Sequence, residues 1–185
     1  ALNNGLTYNP IRINGYEAVD LGLSVKWAVY DLGATHSREY GKRYAWGENI
    51  HKETFTNKNS LTYNKKHYNT NVKNISGSKI HDAARAVWGL SWRMPTKAEF
   101  QELIDKCKWI EQPWGYQVIG PNGNSIEFYF WNSYKRYWLA DLDETCTKKE
   151  AYYGGMIKNE RPQVFERKLF KAVRWAGLYI RPVTD

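Results

Sequence analysis

Large aromatic and cationic side chains concentrate in the last third of the sequence. Two tryptophans and two tyrosines lie within residues 131–138, and Lys135 and Arg136 lie between them. Aromatic rings supply flat apolar contact area and arginines supply several hydrogen-bond donors, a combination typical of recognition surfaces. We therefore predict a surface that binds a protein or a glycan, formed by Trp131, Tyr134, Tyr137, Trp138, Tyr152, Tyr153, Arg167, Arg174 and Trp175.

The same rings could instead fill the core of a sheet. Along residues 128–131, Phe128 and Phe130 alternate with Tyr129 and Trp131. Successive side chains of a strand point to opposite faces, so one pair is expected to be buried and the other exposed. Aromatic residues make up 16% of the chain, and so many rings beside so many cations exceed what a core needs. The sequence therefore favours a recognition surface over a core made of all these rings.

Motifs of the common enzyme classes are absent from the sequence. It has no GxSxG, GxxxxGK[ST], HExxH or GxGxxG segment, the motifs of acyl transfer, phosphate binding, zinc hydrolysis and dinucleotide binding. The two cysteines cannot form a zinc site of the paired CxxC kind, and the four histidines do not pair at metal-ligand spacings. We therefore predict a protein without catalytic residues, a metal site or a cofactor.

Carboxylates provide the remaining route to catalysis, because a glycosidase needs only two of them facing each other across a cleft. Asp141, Asp143 and Glu144 follow a predicted strand, and Glu48 ends another. A carbohydrate-active or protein-modifying enzyme is therefore one alternative function. Three acids within four residues are also typical of a solvated loop, and no EF-hand pattern accompanies them.

The positive charge of the chain is regional. The formal net charge is +8, with six lysines against one glutamate in residues 51–80 and nine basic against four acidic residues in 148–185. Such stretches suit either solubility or an anionic partner, so a nucleic-acid or polyanion binder is a second alternative. No run of 18 apolar residues occurs, so we predict no membrane span. The sequence leaves the oligomeric state open.

The elements that must position these side chains are strands at both ends of the chain. Apolar residues fall mostly at alternate positions from 18 to 29, and residues 44–48 form another short strand pattern. Residues 49–78 are rich in Lys, Asn and Thr without periodicity, which predicts a long loop. Further strands are predicted at 116–120, 125–131, 137–142, 151–156 and 178–183, the first two joined by a hairpin at Asn122-Gly123.

Two helices are predicted between these strands. Ser78 can cap a short helix over residues 80–88, whose apolar face contains Ala83, Ala84, Val87 and Trp88. Thr96 and Glu99 form a capping box ahead of a second apolar stripe formed by Phe100, Leu103, Ile104 and Cys107. This pattern places Cys107 in the core. Whether Cys107 pairs with Cys146 stays open.

The order of strands, two helices and further strands predicts an α+β fold. No Pro-, Gly- or Ser-rich linker divides the sequence, so we predict one domain over residues 1–185. Within it, residues 1–15 are interpreted as an N-terminal extension and residues 49–78 as the long loop.

Several segments together resemble a known family. They are AVDLGLSVKWA at 18–28, YAWGE at 44–48, DAAR at 82–85, SWRMPTKAEFQEL at 91–103 and GLYIRPV at 177–183. These segments are similar to the Fibrobacter succinogenes major paralogous domain, which is common in surface and secreted proteins of gut Bacteroidetes. The resemblance covers roughly residues 16–183, and the WRMPT segment and the RPV ending are its most specific parts.

The resemblance implies a C-type-lectin-like fold with paired N- and C-terminal strands, two helices and a second sheet that carries a variable ligand surface. It also implies similarity to the variable proteins of diversity-generating retroelements, whose exposed aromatic and polar positions near the C-terminus bind the ligand. The calcium-dependent sugar signatures EPN and WND are missing here. We therefore expect a calcium-independent, adhesin-like binding module at the cell surface or outside the cell, its export signal removed.

Overall fold

The computed structural model describes residues 10–63, 73–142, 149–157, 163–165 and 172–185. Its strands are Ile11–Ile13 (β1), Tyr16–Val19 (β2), Lys26–Ala28 (β3), Lys108–Gln112 (β4), Gly115–Ile119 (β5), Ser125–Tyr129 (β6), Tyr134–Trp138 (β7), Glu150–Ala151 (β8), Tyr153–Ile157 (β9), Gln163–Phe165 (β10), Ala172–Val173 (β11) and Val183–Thr184 (β12). Its helices are Ala83–Trp88 (α1) and Lys97–Lys106 (α2). The described strands pair antiparallel, so the predicted α+β class with mostly antiparallel sheets is confirmed.

One sheet joins the two ends of the chain in the order β1-β2-β3-β12. Val183 lies opposite Trp27, so the predicted pairing of N- and C-terminal strands is confirmed. Residues 11–13, within the predicted N-terminal extension, form β1 and pair with β2. Asn14 and Gly15 both adopt positive φ angles, of 50° and 85°, which lets a tight turn join β1 to β2.

Helix α1 begins later than predicted. Its N-cap is Asp82, whose side chain accepts the Arg85 backbone N–H at 3.1 Å, whereas Ser78 accepts the His81 N–H one turn earlier. An aspartate closer to the apolar residues therefore replaces the predicted serine cap. Val87 is 46% exposed, so its predicted place on the apolar face is wrong, while Trp88 is buried as predicted.

Helix α2 follows the sequence pattern closely. The Thr96 hydroxyl and the Glu99 carboxylate satisfy each other's backbone N–H groups, so the predicted capping box is confirmed. The predicted stripe is buried at Phe100, Leu103 and Ile104, and Cys107 is half-buried at the end of the helix. Burial raises the pKa of the Cys107 thiol to about 11. Residue 146 lies outside the described part of the chain.

The sheet β4-β5-β6 directly precedes the aromatic-rich residues 131–138 in the sequence. Strand β4 has no counterpart in the prediction, because its sequence KWIEQ mixes charged and apolar residues without clear alternation. The predicted hairpin joins β5 to β6, where Gly123 has a φ of 88°. The side-chain amides of Asn122 and Asn124 donate to the Asp20 carbonyl, which fixes this hairpin against the first sheet.

The remaining sheets are β10-β9-β7 and β11-β8. Helix α2 packs on β9 so closely that a Cβ added at Gly154 would lie 2.3 Å from the Phe100 ring. The predicted strand at 44–48 is reduced to a single bridge between Tyr44 and Leu178. Within the described residues 49–63 and 73–78 there is neither helix nor strand, in agreement with the predicted loop.

A hydrophobic core built from both halves of the chain includes Trp27, Trp88, Trp92, Phe128 and Trp138. The Trp88 ring stacks on Tyr16 at 4.2 Å between ring centroids and meets Trp92 edge-on at 4.9 Å. Many of the aromatic residues are therefore used for packing, and a functional role falls to those left at the surface. In the described part of the chain, no helix is both long and apolar enough to cross a membrane.

Candidate functional site

Two of the predicted ligand-contacting rings lie at the surface, Trp131 in the connection from β6 to β7 and Tyr134 at the start of β7. Trp131 is 62% exposed and Tyr134 is 51% exposed. Phe128 and Phe130 are fully buried, while Tyr129 is half-buried, so the predicted alternation of faces is confirmed. Exposed aromatic rings on a defined turn are candidates for contact with a ligand.

Four other predicted rings belong to the core instead. Tyr137 and Trp138 are fully buried, and Tyr152 and Tyr153 are 2% and 7% exposed. Strand β7 is the last strand of its sheet, but it is bonded to β9 on one side and an isolated bridge joins Tyr137 to Tyr179 on the other. The four rings, two of them on β7, therefore pack into the molecule and are not exposed as the predicted ligand surface would require.

Of the two predicted arginine contacts, the structure describes only Arg174, and that side chain is buried. Arg174 is 2% exposed, its Nε donates to the Glu150 carbonyl at 3.0 Å, and its guanidinium lies 4.8 Å from the centre of the Trp46 ring. It therefore ties β8 to the core rather than clamping a ligand. Trp175 is half-buried. Arg167 lies outside the described residues.

Three half-buried tyrosines that the prediction omitted join Trp131. The Tyr40 ring lies 5.6 Å from Tyr129 and 5.8 Å from Tyr179, and Tyr129 lies 6.0 Å from Trp131. The alternation along β6 could have identified Tyr129, because it shares a face with Trp131. No local pattern connects Tyr40 and Tyr179, which are far apart in sequence and meet only in the fold.

Hydrogen bonds fix the relative positions of these rings. The backbone N–H of Trp131 donates to the Tyr40 hydroxyl at 2.8 Å, and its indole N–H donates to the Tyr129 hydroxyl. Both phenol oxygens therefore act as acceptors toward the same residue. A phenol has one proton to donate, and no described residue receives it from Tyr40 or Tyr129.

Arginines lie between and beside the rings. The Arg38 guanidinium lies 4.6 Å from the centre of the Trp114 ring and holds the buried Glu127 carboxylate with two hydrogen bonds. Arg43 lies 5.4 Å from the centre of the Phe55 ring. Arg38 interacts electrostatically with Tyr129, and Arg43 with Tyr179, so we group these residues as the aromatic–arginine strip: Arg38, Tyr40, Arg43, Phe55, Trp114, Tyr129, Trp131 and Tyr179.

A group of buried polar side chains lies directly beneath the strip. Asp31 accepts hydrogen bonds from Lys135 Nζ at 2.5 Å, from Arg181 Nε at 2.7 Å and from the Tyr137 hydroxyl at 3.3 Å. We call Asp31, Lys135, Tyr137 and Arg181 the buried cluster. The Lys135 ammonium also lies 4.7 Å and 4.6 Å from the ring centres of Tyr40 and Tyr179. The cluster therefore supports the strip from below through cation–π contacts.

The pKa values of the buried cluster are shifted by burial and by the charges of its own members. Burial alone would raise the pKa of Asp31, but Lys135 and Arg181 together hold that pKa below its ordinary value. Burial lowers the pKa of Lys135, and Asp31 opposes this shift. Burial raises the pKa of Tyr137, which stays a neutral donor. Two cations share one carboxylate, so with all three groups ionised the cluster is net positive toward the strip.

The carboxylates of the enzymatic alternative hold the backbone where they are described. Glu48 accepts the Leu61 N–H at 2.7 Å and pairs with Lys52, which secures the loop. Asp141 accepts the Lys97 N–H at the start of α2, and burial raises its pKa. Asp143 and Glu144 lie outside the described residues. Nothing in the described geometry sets two carboxylates across a cleft.

The described residues contain no group of three or more His, Cys, Asp or Glu side chains that could hold a metal ion. Only part of the two basic stretches is described. Among the described residues, the strip combines surface rings with arginines. Comparison of the chain with protein-family models, curated proteins and solved structures finds no match in any of the three.

Proposed function

We propose that this protein is a non-enzymatic ligand-binding module and that the aromatic–arginine strip is its binding surface. The observation that carries the proposal is the continuity of the strip, in which exposed Trp131 contacts Tyr129, Tyr129 contacts Tyr40, and Tyr40 contacts Tyr179. Aromatic rings with arginines beside them supply most of the binding free energy in many recognition surfaces.

The rigidity of the strip supports a binding role. Trp131 is hydrogen-bonded to Tyr40 and Tyr129, and Tyr40 and Tyr179 rest on the Lys135 ammonium. A surface whose side chains are already ordered loses less conformational entropy when a ligand binds. The strip is therefore suited to binding without a change of shape.

The sequence resemblance supports the finer part of the proposal. It is to a family of C-type-lectin-like domains from surface and secreted bacterial proteins, and the pairing of β12 with β3 is the arrangement expected of such a domain. We accordingly place the protein at the cell surface or outside the cell, as an adhesin-like module for a protein or glycan. The binding surface moves from the C-terminal rings of the sequence prediction to a strip that includes Tyr40 and Trp114.

The experiment is a binding screen of the full chain on glycan and protein arrays at low and high salt. Trp131→Ala is compared with Ile80→Ala, because Ile80 is also strongly exposed, at 69%, and none of the strip contacts involves it. We expect binding that is lost in Trp131→Ala and kept in Ile80→Ala. Equal binding by both variants would place the site elsewhere, and binding that is independent of Trp131 and abolished by salt would favour the polyanion alternative.

A further inference from the structure

In the strip, hydrogen bonds from Trp131 determine where the hydroxyl protons of Tyr40 and Tyr129 can point. Because the Tyr40 and Tyr129 oxygens accept from the backbone and indole N–H groups of Trp131, the proton of each hydroxyl must point away from Trp131. No described residue accepts either proton. The two rings are in edge contact at 5.6 Å, so both donors belong to one patch beside the exposed Trp131 indole. Two donors in one patch suit an acceptor with two oxygens.

The charges around these two donors indicate whether the acceptor group of the ligand should be negative or neutral. The buried cluster beneath the rings contains Lys135 and Arg181 against Asp31, and Lys135 faces the inner side of the Tyr40 ring. A cation behind a ring draws electron density from it, which disfavours a second cation on the outer face. The neighbouring carboxylate, Glu127, is 3% exposed and is already held by Arg38. The patch is therefore complementary to a negative group.

We propose that the strip binds acidic oligosaccharides, with the carboxylate of a uronic acid residue accepting hydrogen bonds from the Tyr40 and Tyr129 hydroxyls. The apolar face of the same or the next sugar would lie on the exposed Trp131 indole. Hydrogen bonds to a charged acceptor are about twice as strong as neutral ones, so the carboxylate would supply the selectivity and the indole the contact area. This inference rests on the proposed function and specifies its ligand.

A glycan fits the geometry of the rings better than a nucleic acid does. The interplanar angles are 64° between Tyr40 and Tyr129, 45° between Tyr40 and Tyr179, and 81° between Tyr129 and Trp131. Successive bases stack on rings that offer open parallel faces, whereas two of these ring pairs meet edge to face and the third is tilted. A single exposed indole beside two hydroxyl donors suits one sugar ring with one carboxylate.

The test uses oligogalacturonate as the acidic probe and its methyl ester as the matched neutral probe, with calorimetry on the full chain. We expect measurable binding of the acid and at least about tenfold weaker binding of the ester. The double variant Tyr40→Phe/Tyr129→Phe keeps both rings and removes both donors. It should bind the acid about tenfold more weakly or worse. Its loss of affinity for the ester should be smaller, because the ester depends on the Trp131 indole, which both hydroxyls hold in place, and not on a charged acceptor. The control is Tyr16→Phe, whose ring stacks on Trp88.

The outcomes separate this inference from the proposed function. Equal affinity for acid and ester, or an unaltered affinity in the double variant, would overturn the carboxylate site. If Trp131-dependent binding to a neutral glycan or a protein persisted in that case, the proposed function would stand while its ligand changed. Tighter binding of a polyglutamate peptide or single-stranded DNA than of oligogalacturonate would also overturn the inference. Circular dichroism of each variant checks that the fold is retained.

Discussion

The aromatic–arginine strip and the buried cluster beneath it both combine tyrosines with cations, but their polar groups differ in where they find hydrogen-bond partners. In the buried cluster Asp31 accepts hydrogen bonds from Lys135, Arg181 and Tyr137, so each of these side chains has a partner inside the protein although the cluster keeps a net positive charge. In the strip, the hydroxyl protons of Tyr40 and Tyr129 are received by no described residue. A structural cluster and a recognition surface can therefore contain the same residue types. They differ in whether their polar groups have hydrogen-bond partners within the protein.

The largest effect is expected from removing the shared anion of the buried cluster. Asp31→Ala leaves Lys135 and Arg181 buried without their carboxylate, which typically costs about 3–5 kcal/mol of unfolding free energy. The control Glu17→Ala breaks the exposed pair with Arg12 and should cost below about 1 kcal/mol. Urea denaturation of both variants measures the difference. Equal losses would contradict a structural role for the cluster.

A pair of tryptophans tests the same comparison with one residue type. Trp138 is fully buried and its indole donates to the Tyr44 carbonyl at 2.7 Å, so Trp138→Ala should lower the unfolding free energy by about 3–5 kcal/mol. Trp131→Ala removes an exposed indole and keeps the backbone N–H that donates to Tyr40, so its cost should stay near about 0.5 kcal/mol. Thermal or urea unfolding gives both values. A stable Trp138→Ala variant would refute the assignment of that ring to the core.

The pH dependence of the unfolding free energy tests whether the ionised carboxylate of Asp31 stabilises the fold. Its pKa in the folded chain lies below the ordinary value of 3.8, because Lys135 and Arg181 outweigh the effect of burial. Its contribution to stability is therefore complete above its unfolded-state pKa and is lost as the pH falls through the lower folded-state pKa. Between about pH 5 and about pH 3 the wild type should lose more unfolding free energy than Asp31→Asn.

Asp82 and Asp141 also contribute to the pH dependence of stability in this range. Burial raises the pKa of both, so their contributions to stability change with pH in the opposite direction. Both groups are present in the wild type and in Asp31→Asn, and their effect cancels in the difference between the two proteins. Identical pH profiles would show that Asp31 contributes nothing through its ionisation.

Sequence patterns predicted the local structure well where it depends on neighbouring residues. The Thr96–Glu99 capping box and the buried stripe of α2 are confirmed because both are set within one or two helical turns. Strand β4 was missed, since its apolar residues do not alternate with the polar ones. The sequence predicts a cap at Ser78 and the structure has it at Asp82; serine and aspartate both cap helices well, so only the fold distinguishes the two positions.

The candidate site was only partly predictable because its members meet through tertiary contacts. Trp131 and Trp138 lie seven residues apart in one aromatic-rich segment, yet the first is exposed and the second is buried. That difference depends on what covers β7, and the segment itself does not encode it. Tyr40 and Tyr179 are adjacent in the structure and 139 positions apart in the sequence, so spacing could not bring them together.

The smallest effect is expected at the end of the strip. The Arg43 guanidinium lies over the Phe55 ring and pairs with no carboxylate among the described residues, so its charge is available to an acidic ligand. An exposed cationic contact is worth about 0.5–1 kcal/mol, so Arg43→Ala should weaken oligogalacturonate binding about two- to fivefold. The loss should shrink at high salt, since exposed charges are screened. Arg12→Ala, which removes another exposed arginine, should leave the affinity unchanged. A similar loss in both variants would mean that the ligand responds to net charge, and the strip would then have no preference over the rest of the basic surface.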